Sequence, residues 1–92
     1  MKSVWKYPLA LIDEQDVIAP AGAVPLSVQM QRSLPCVWML VDPAVGSVPY
    51  RVRIVGTGHE ITTPIGEFLG TMQTSNGSLV WHVFIEALQE AS

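Results

Sequence analysis

The sequence predicts an all-β chain, a single small sandwich or barrel of about seven short, mainly antiparallel strands. Three observations carry that expectation. Apolar residues recur with a period of two in several segments, which marks strands with one buried face. Clusters of Pro, Gly, Asn and Asp interrupt these segments roughly every ten residues. Asn76-Gly77 stands between two strand-like runs, and this dipeptide favours a two-residue type I′ hairpin.

Taken in order, "VWKYPLALI" opens the chain as a strand in which Pro8 is tolerable only at an edge or a bulge. Asp13, Glu14 and Asp16 read as a solvated turn. "DVIAP" is a short strand, followed by a turn at Pro20-Ala21-Gly22. In "AVPLSVQMQ", Val24, Leu26, Val28 and Met30 fall on one side and Pro25, Ser27, Gln29 and Gln31 on the other. "CVWMLV" is apolar at every position, so it belongs in the centre with both faces covered. "DPAVGS" turns the chain into "VPYRVRIV", which puts Val48, Tyr50, Val52 and Ile54 on one face and Arg51 and Arg53 on the other. "EFLGTMQT" and "LVWHVFI" are the two arms of the C-terminal Asn-Gly hairpin. Trp38 and Trp81 are expected in the core. "EALQEAS" ends the chain as one helical turn or a frayed tail. No repeat, low-complexity stretch or linker divides residues 1–92.

Composition narrows the function classes. The chain is 49% hydrophobic and only 14% charged, which is apolar for so short a soluble domain and predicts a homo-oligomer that covers part of that surface. A net charge of −3 without any run of Lys or Arg argues against a nucleic-acid polymer as partner. A small phosphorylated ligand stays open, because two or three placed donors suffice for it. The single Cys36 rules out an internal disulfide and fits a reducing cytoplasm. The N-terminal apolar run is broken by Lys6 and Pro8 and ended by Asp13, so neither a signal peptide nor a membrane span is expected.

One loop concentrates the chemistry. In "VGTGHEI", Gly56 and Gly58 flank Thr57, and His59 follows. Glycines there would free the backbone to present successive N–H groups to an anion, with the Thr57 hydroxyl and the His59 ring as further contacts. No lysine follows, a third glycine is missing and no helix is expected next, so the loop is neither a Walker loop nor a dinucleotide fingerprint. A glycine-lined turn with an exposed histidine accounts for the same residues equally well. Arg51 and Arg53, just upstream on one strand face, are suited to phosphate oxygens, or they solvate the outside of an edge strand. Trp5 and Tyr7 share a face and offer a stacking surface for a planar ligand or a subunit contact. His59 and His82 supply at most two metal-ligand nitrogens, so no metal or cofactor is expected. No nucleophile, base and acid fall into a catalytic pattern, and no enzyme is expected.

With "VWKYPL", "CVWMLVDP", "RIVGTGHEI" and "LVWHVF", the chain resembles a family of small phage-encoded proteins catalogued as a domain of unknown function. "GTGH" and "VWHVF" are the most specific pieces. The resemblance implies a phage origin, residence in the cytoplasm of the infected bacterium and no enzymatic activity. In size, oligomeric expectation and glycine loop the chain is also similar to phage nucleotide sponges of the anti-CBASS kind, the fourth family in particular, and of the anti-Thoeris kind. That analogy implies sequestration of a cyclic oligonucleotide, with Gly56, Thr57, Gly58 and His59 as phosphate or ribose contacts, Arg51 and Arg53 as charge partners and Trp5 or Tyr7 for stacking. A protein-interaction or virion accessory module is the alternative.

Overall fold

The computed structural model describes residues 1–88, with Ser75 described by its backbone alone. Seven strands form: β1 (Ser3–Pro8), β2 (Glu14–Pro20), β3 (Val24–Gln31), β4 (Leu34–Val41), β5 (Ser47–Gly56), β6 (Glu67–Thr74) and β7 (Leu79–Ala87). All pairings are antiparallel, in two sheets ordered β1-β4-β3 and β2-β5-β7-β6. The two sheets meet where β3 runs beside β6. Gly70 of β6 comes so close there that a Cβ on it would lie 2.9 Å from Val28 Cγ1. The all-β expectation is borne out as a two-sheet sandwich. No helix among the described residues is long and apolar enough to cross a membrane.

The inward faces follow the period-two pattern. Val37, Met39 and Val41 of β4 lie against Tyr50, Val52 and Ile54 of β5 and Val83 and Ile85 of β7, all buried. Each such side chain stabilises the fold by about 1.5–3 kcal/mol relative to leaving it in water. Tyr50 keeps its polar end satisfied: its hydroxyl donates to Pro20 O at 2.7 Å and accepts from Ala23 N–H at 3.0 Å. That bond ties the β2–β3 turn to the core. The turn itself forms as expected, with Ala23 N–H on Pro20 O at 3.2 Å and Gly22 at φ 75°. At "DPAVGS", Asp42 holds the turn by accepting from Val45 N–H through its carbonyl and from Ala44 N–H through its side chain.

The hairpin between β6 and β7 forms, but through a 3-10 turn at Ser75–Gly77 in a four-residue connection rather than the expected two-residue loop. Asn76 and Gly77 take φ values of 58° and 87°, the positive pair a type I′ turn requires. The ladder closes at Thr74↔Leu79, so the connection spans residues 75–78. β7 runs on through Ala87 and Leu88 N–H bonds Pro49 O, so Glu86 and Ala87 are strand, not helix. The remainder of the expected C-terminal turn, residues 89–92, lies outside the described residues.

Four expectations are corrected. A bulge in β3 between Pro25 and Ser27 adds a residue and inverts the alternation, so Val24 and Leu26 face outward while Val28 stays buried. Trp38 is on the outer face of the three-stranded sheet, opposite Lys6 and Ser27, because it is out of phase with the buried Val37 and Met39. β4 is central, as expected, but its outer face is only half covered. β2 starts at Glu14, so Glu14 and Asp16 are strand residues opposite Arg53 and Arg51 rather than parts of a turn. A tight turn at Arg32-Ser33 links β3 to β4 with Arg32 at φ 59°, although neither residue advertises one.

Candidate functional site

The end of β5 builds the site. Gly56 follows Tyr50, Val52 and Ile54 on the inward phase and sits opposite Trp81 of β7. A Cβ on Gly56 would lie 2.8 Å from His59 Cε1, 2.9 Å from His59 Nδ1 and 3.1 Å from Trp81 Cζ3. The bare backbone therefore makes room for the imidazole, whose ring meets the Trp81 indole edge-on at 6.4 Å and 74°. Thr57 and Gly58 form the turn, closed by His59 N–H on Gly56 O at 3.0 Å. Gly58, at φ 86°, supplies the left-handed position.

β7 holds the loop from its other side. Thr57 N–H donates to Val80 O at 3.2 Å, and Thr57 Oγ1 lies 2.7 Å from His82 Nε2. His82 Nδ1 lies 3.1 Å from Thr71 Oγ1 of β6. With the ring proton on Nε2, His82 donates to Thr57, Thr57 donates to Val80 O at 3.4 Å, and Thr71 donates to Nδ1. Trp81 Nε1–H donates to Thr74 Oγ1 at 3.1 Å. The stretches "GTGH" and "VWH" thus meet at one end of the four-stranded sheet, with His59 and Trp81 toward its inward face and His82 on its outward face. A cleft of about 240 Å³ opens between His59, Thr57, Ser78 and the start of β7 at residues 79–81.

This differs from a phosphate cradle in two respects. The N–H groups of Thr57 and His59 are spent on Val80 O and Gly56 O, so they do not face a ligand. Gly56 acts through space rather than through backbone freedom.

Arg51 and Arg53 share the outward face as expected, yet β5 is an interior strand and both guanidinium groups are held by carboxylates. Arg51 bonds Asp16 and reaches Glu14 at 3.2 Å. Arg53 bonds Glu14 at 3.0 Å and Glu86 at 2.7 Å. These bonds hold both arginines firmly in the charged form and raise their pKa, chiefly through Asp16 for Arg51 and Glu86 for Arg53. Only Arg53 shares a cleft with His59, and Asp13, Glu14 and Glu60 line that cleft too, an electronegative balance that repels phosphate. Arg53 and His59 thus share a cleft that Arg51 does not line.

Trp5 and Tyr7 lie on β1 in the other sheet, opposite Met39 and Val37, and neither lines the clefts beside the loop. Tyr7 packs against the core, where its buried hydroxyl has no hydrogen-bond partner, and burial raises its pKa. It is a scaffold residue. Trp5 stays 40% exposed at the sheet edge. The residues that complete the loop cluster instead are Thr71, Trp81 and His82. Sequence alternation does place His82 outward, but nothing in one sequence shows that Thr57 and Thr71 bracket it. No group of three or more His, Cys, Asp or Glu among the described residues is placed to hold a metal ion.

No curated protein and no solved structure matches the chain. A family described as a domain of unknown function (DUF7352) matches residues 1–92, and the chain belongs to that family.

Proposed function

We propose that the chain is a phage-encoded anti-defence protein that binds and sequesters a cyclic oligonucleotide or related nucleotide immune signal without hydrolysing it, in the cytoplasm of the infected bacterium. The observation that carries this reading is the meeting of "GTGH" and "VWH" around one cleft. Those are the pieces most specific to the resemblance. An exposed imidazole braced on Trp81 offers an aromatic edge to a base, and Thr57 offers a hydroxyl beside it. Arg51 and Arg53 serve the scaffold in this version, and Gly58 shapes the turn.

Thermal shifts against cyclic dinucleotides, cyclic trinucleotides and ADP-ribose derivatives test it. A true ligand at a hundredfold excess over its Kd adds about 2.7 kcal/mol of stability. His59→Ala is expected to abolish most of that shift while moving the unliganded melt by less than about 0.5 kcal/mol, because the ring is exposed. Ligand recovered after denaturation should be chemically unchanged. No shift with any of these compounds rejects the reading.

A separate feature supports the homo-oligomer and, equally, the interaction-module alternative. On the outer face of the three-stranded sheet, Val4, Leu40 and Val24 form one cross-strand row, with Leu26, Trp38 and Leu34 nearby. Val4, Val24, Leu26 and Leu34 are each about half exposed. No carboxylate sits on these strands, and Lys6 is held by Gln31 at 2.6 Å, so two copies can stack there without opposing like acids. One six-residue and two eight-residue strands present at most about 14 by 26 Å, roughly half of one partner's share in a standard interface. A weak dimer, with Kd in the micromolar range, is expected from sedimentation. Val4→Glu with Leu26→Glu should make it monomeric with the melt little changed. A wild-type chain that stays monomeric at millimolar concentration removes the second copy as the occupant.

A further inference from the structure

We infer that the phosphate subsite is the Arg32-Ser33 turn, not the arginine pair on β5. This rests on the nucleotide-binding reading and moves its anionic half away from the arginines of β5 to the β3–β4 turn.

The charge distribution comes first. Arg51 and Arg53 are neutralised by Glu14, Asp16 and Glu86. Arg32, in contrast, has no hydrogen bond or ion pair among the described residues. It stands between two grooves. One, of about 420 Å³, places it with Lys6, Gln31 and Ser33. The other, of about 680 Å³, runs between the β3–β4 and β6–β7 turns and places it with Ser33, Gln73, Thr74, Asn76 and Gly77. No carboxylate lines either groove among the described residues. In a chain of net charge −3, this end brings the unpaired Arg32 and the Gln31-bound Lys6 together with neutral donors and no facing carboxylate.

Backbone conformation points to the same place. Arg32 and Asn76 are the two non-glycine residues with positive φ among the described residues, and both line the larger groove. Asn tolerates that region, whereas Arg occupies it at a cost that Gly would remove. A cationic side chain kept at a position that favours Gly is an outlier of the type found at ligand sites.

The groove and the loop cleft share one lining residue, Leu79. Trp81, which lines the loop cleft, also bonds Thr74, which lines the groove with Arg32, so the two sites are neighbours across the start of β7. A volume of about 680 Å³ is in the range of small-molecule sites, large enough for a nucleotide's phosphodiester portion. Arg32 then grips phosphate oxygens through its planar fork, with Ser33, Asn76 and Thr74 as neutral donors.

The test has two arms. In the first, inorganic pyrophosphate is titrated into the labelled wild-type protein and followed by amide NMR. Shifts confined to the 32–34 and 73–79 segments are expected, while perturbation of the β5 arginines alone, or none, overturns the inference. In the second, Arg32→Gly is compared with wild type for the nucleotide that gives the largest thermal shift. The variant should melt at or above the wild-type temperature, since it relieves the left-handed arginine, yet bind about 10- to 100-fold more weakly. Unchanged affinity overturns the inference and leaves the nucleotide reading intact. Pyrophosphate shifts at Arg32 without binding of any nucleotide support the subsite and reject the sequestration reading.

Discussion

Gly66→Ala is expected to lower the melting temperature by about 10–20 °C, the largest drop from any single methyl group added at a glycine. Gly66 precedes β6 at φ 81°, where an L side chain is disfavoured by about 1–2 kcal/mol. A Cβ there would also lie 2.8 Å from Ile85 O, 2.9 Å from Glu86 Cβ and 3.0 Å from Ile85 C. Backbone atoms of β7 cannot retreat without breaking the ladder to β5, in which Val52↔Ile85 and Arg51↔Glu86 are paired. Overlap of that kind costs a further 1–3 kcal/mol or so. Gly58→Ala is the control: its φ is 86°, but nothing lies within 4 Å of the added carbon, so only the conformational cost of about 1–2 kcal/mol applies. Urea or thermal melts of the two variants separate the terms. Equal melts would mean that the loop before β6 moves aside freely.

The same contrast explains which parts of the fold are legible in one sequence. Alternation in "VPYRVRIV" and "LVWHVFI" places the core faces of β5 and β7 correctly, because straight strands keep a period of two. It misplaces Val24 and Leu26, since a bulge changes phase without leaving a residue signature. Asn76-Gly77 announces its turn; Arg32-Ser33 hides one. Glu14 and Asp16 resemble a turn cluster until their register partners, Arg53 and Arg51, are known. Long-range pairing decides such cases, and the chain's local chemistry does not encode it.

For the candidate site, the loop is legible and its partners are not. Two glycines, a threonine and a histidine do mark a special turn, and the structure assigns each a physical role. Gly56 makes room, Gly58 turns the chain, Thr57 bonds across to β7 and His59 packs edge-on to Trp81. Reading Arg51 and Arg53 as ligand groups fails for a general reason. A strand-borne arginine finds a carboxylate on the neighbouring strand whenever register provides one, and here register provides three.

Trp81→Ala is expected to cost about 2–4 kcal/mol, a large share of the stability of a domain this size. Three losses coincide. The indole packs against the core from a half-buried position, its Nε1–H bonds Thr74 across the β6–β7 ladder, and its edge supports the His59 ring over Gly56. His59→Ala removes only the last of these and should leave the melt almost unchanged. Trp81→Phe retains an apolar ring while deleting the hydrogen bond, so its cost should fall between the two, about 1–2 kcal/mol. A graded series in that order, measured by urea denaturation at constant m-value, would show that one residue fastens the loop turn to the core while the imidazole resting on it stays free for other work. If His59→Ala proves as costly as Trp81→Ala, the imidazole is itself a structural wedge, and the loop is a turn with no ligand to hold.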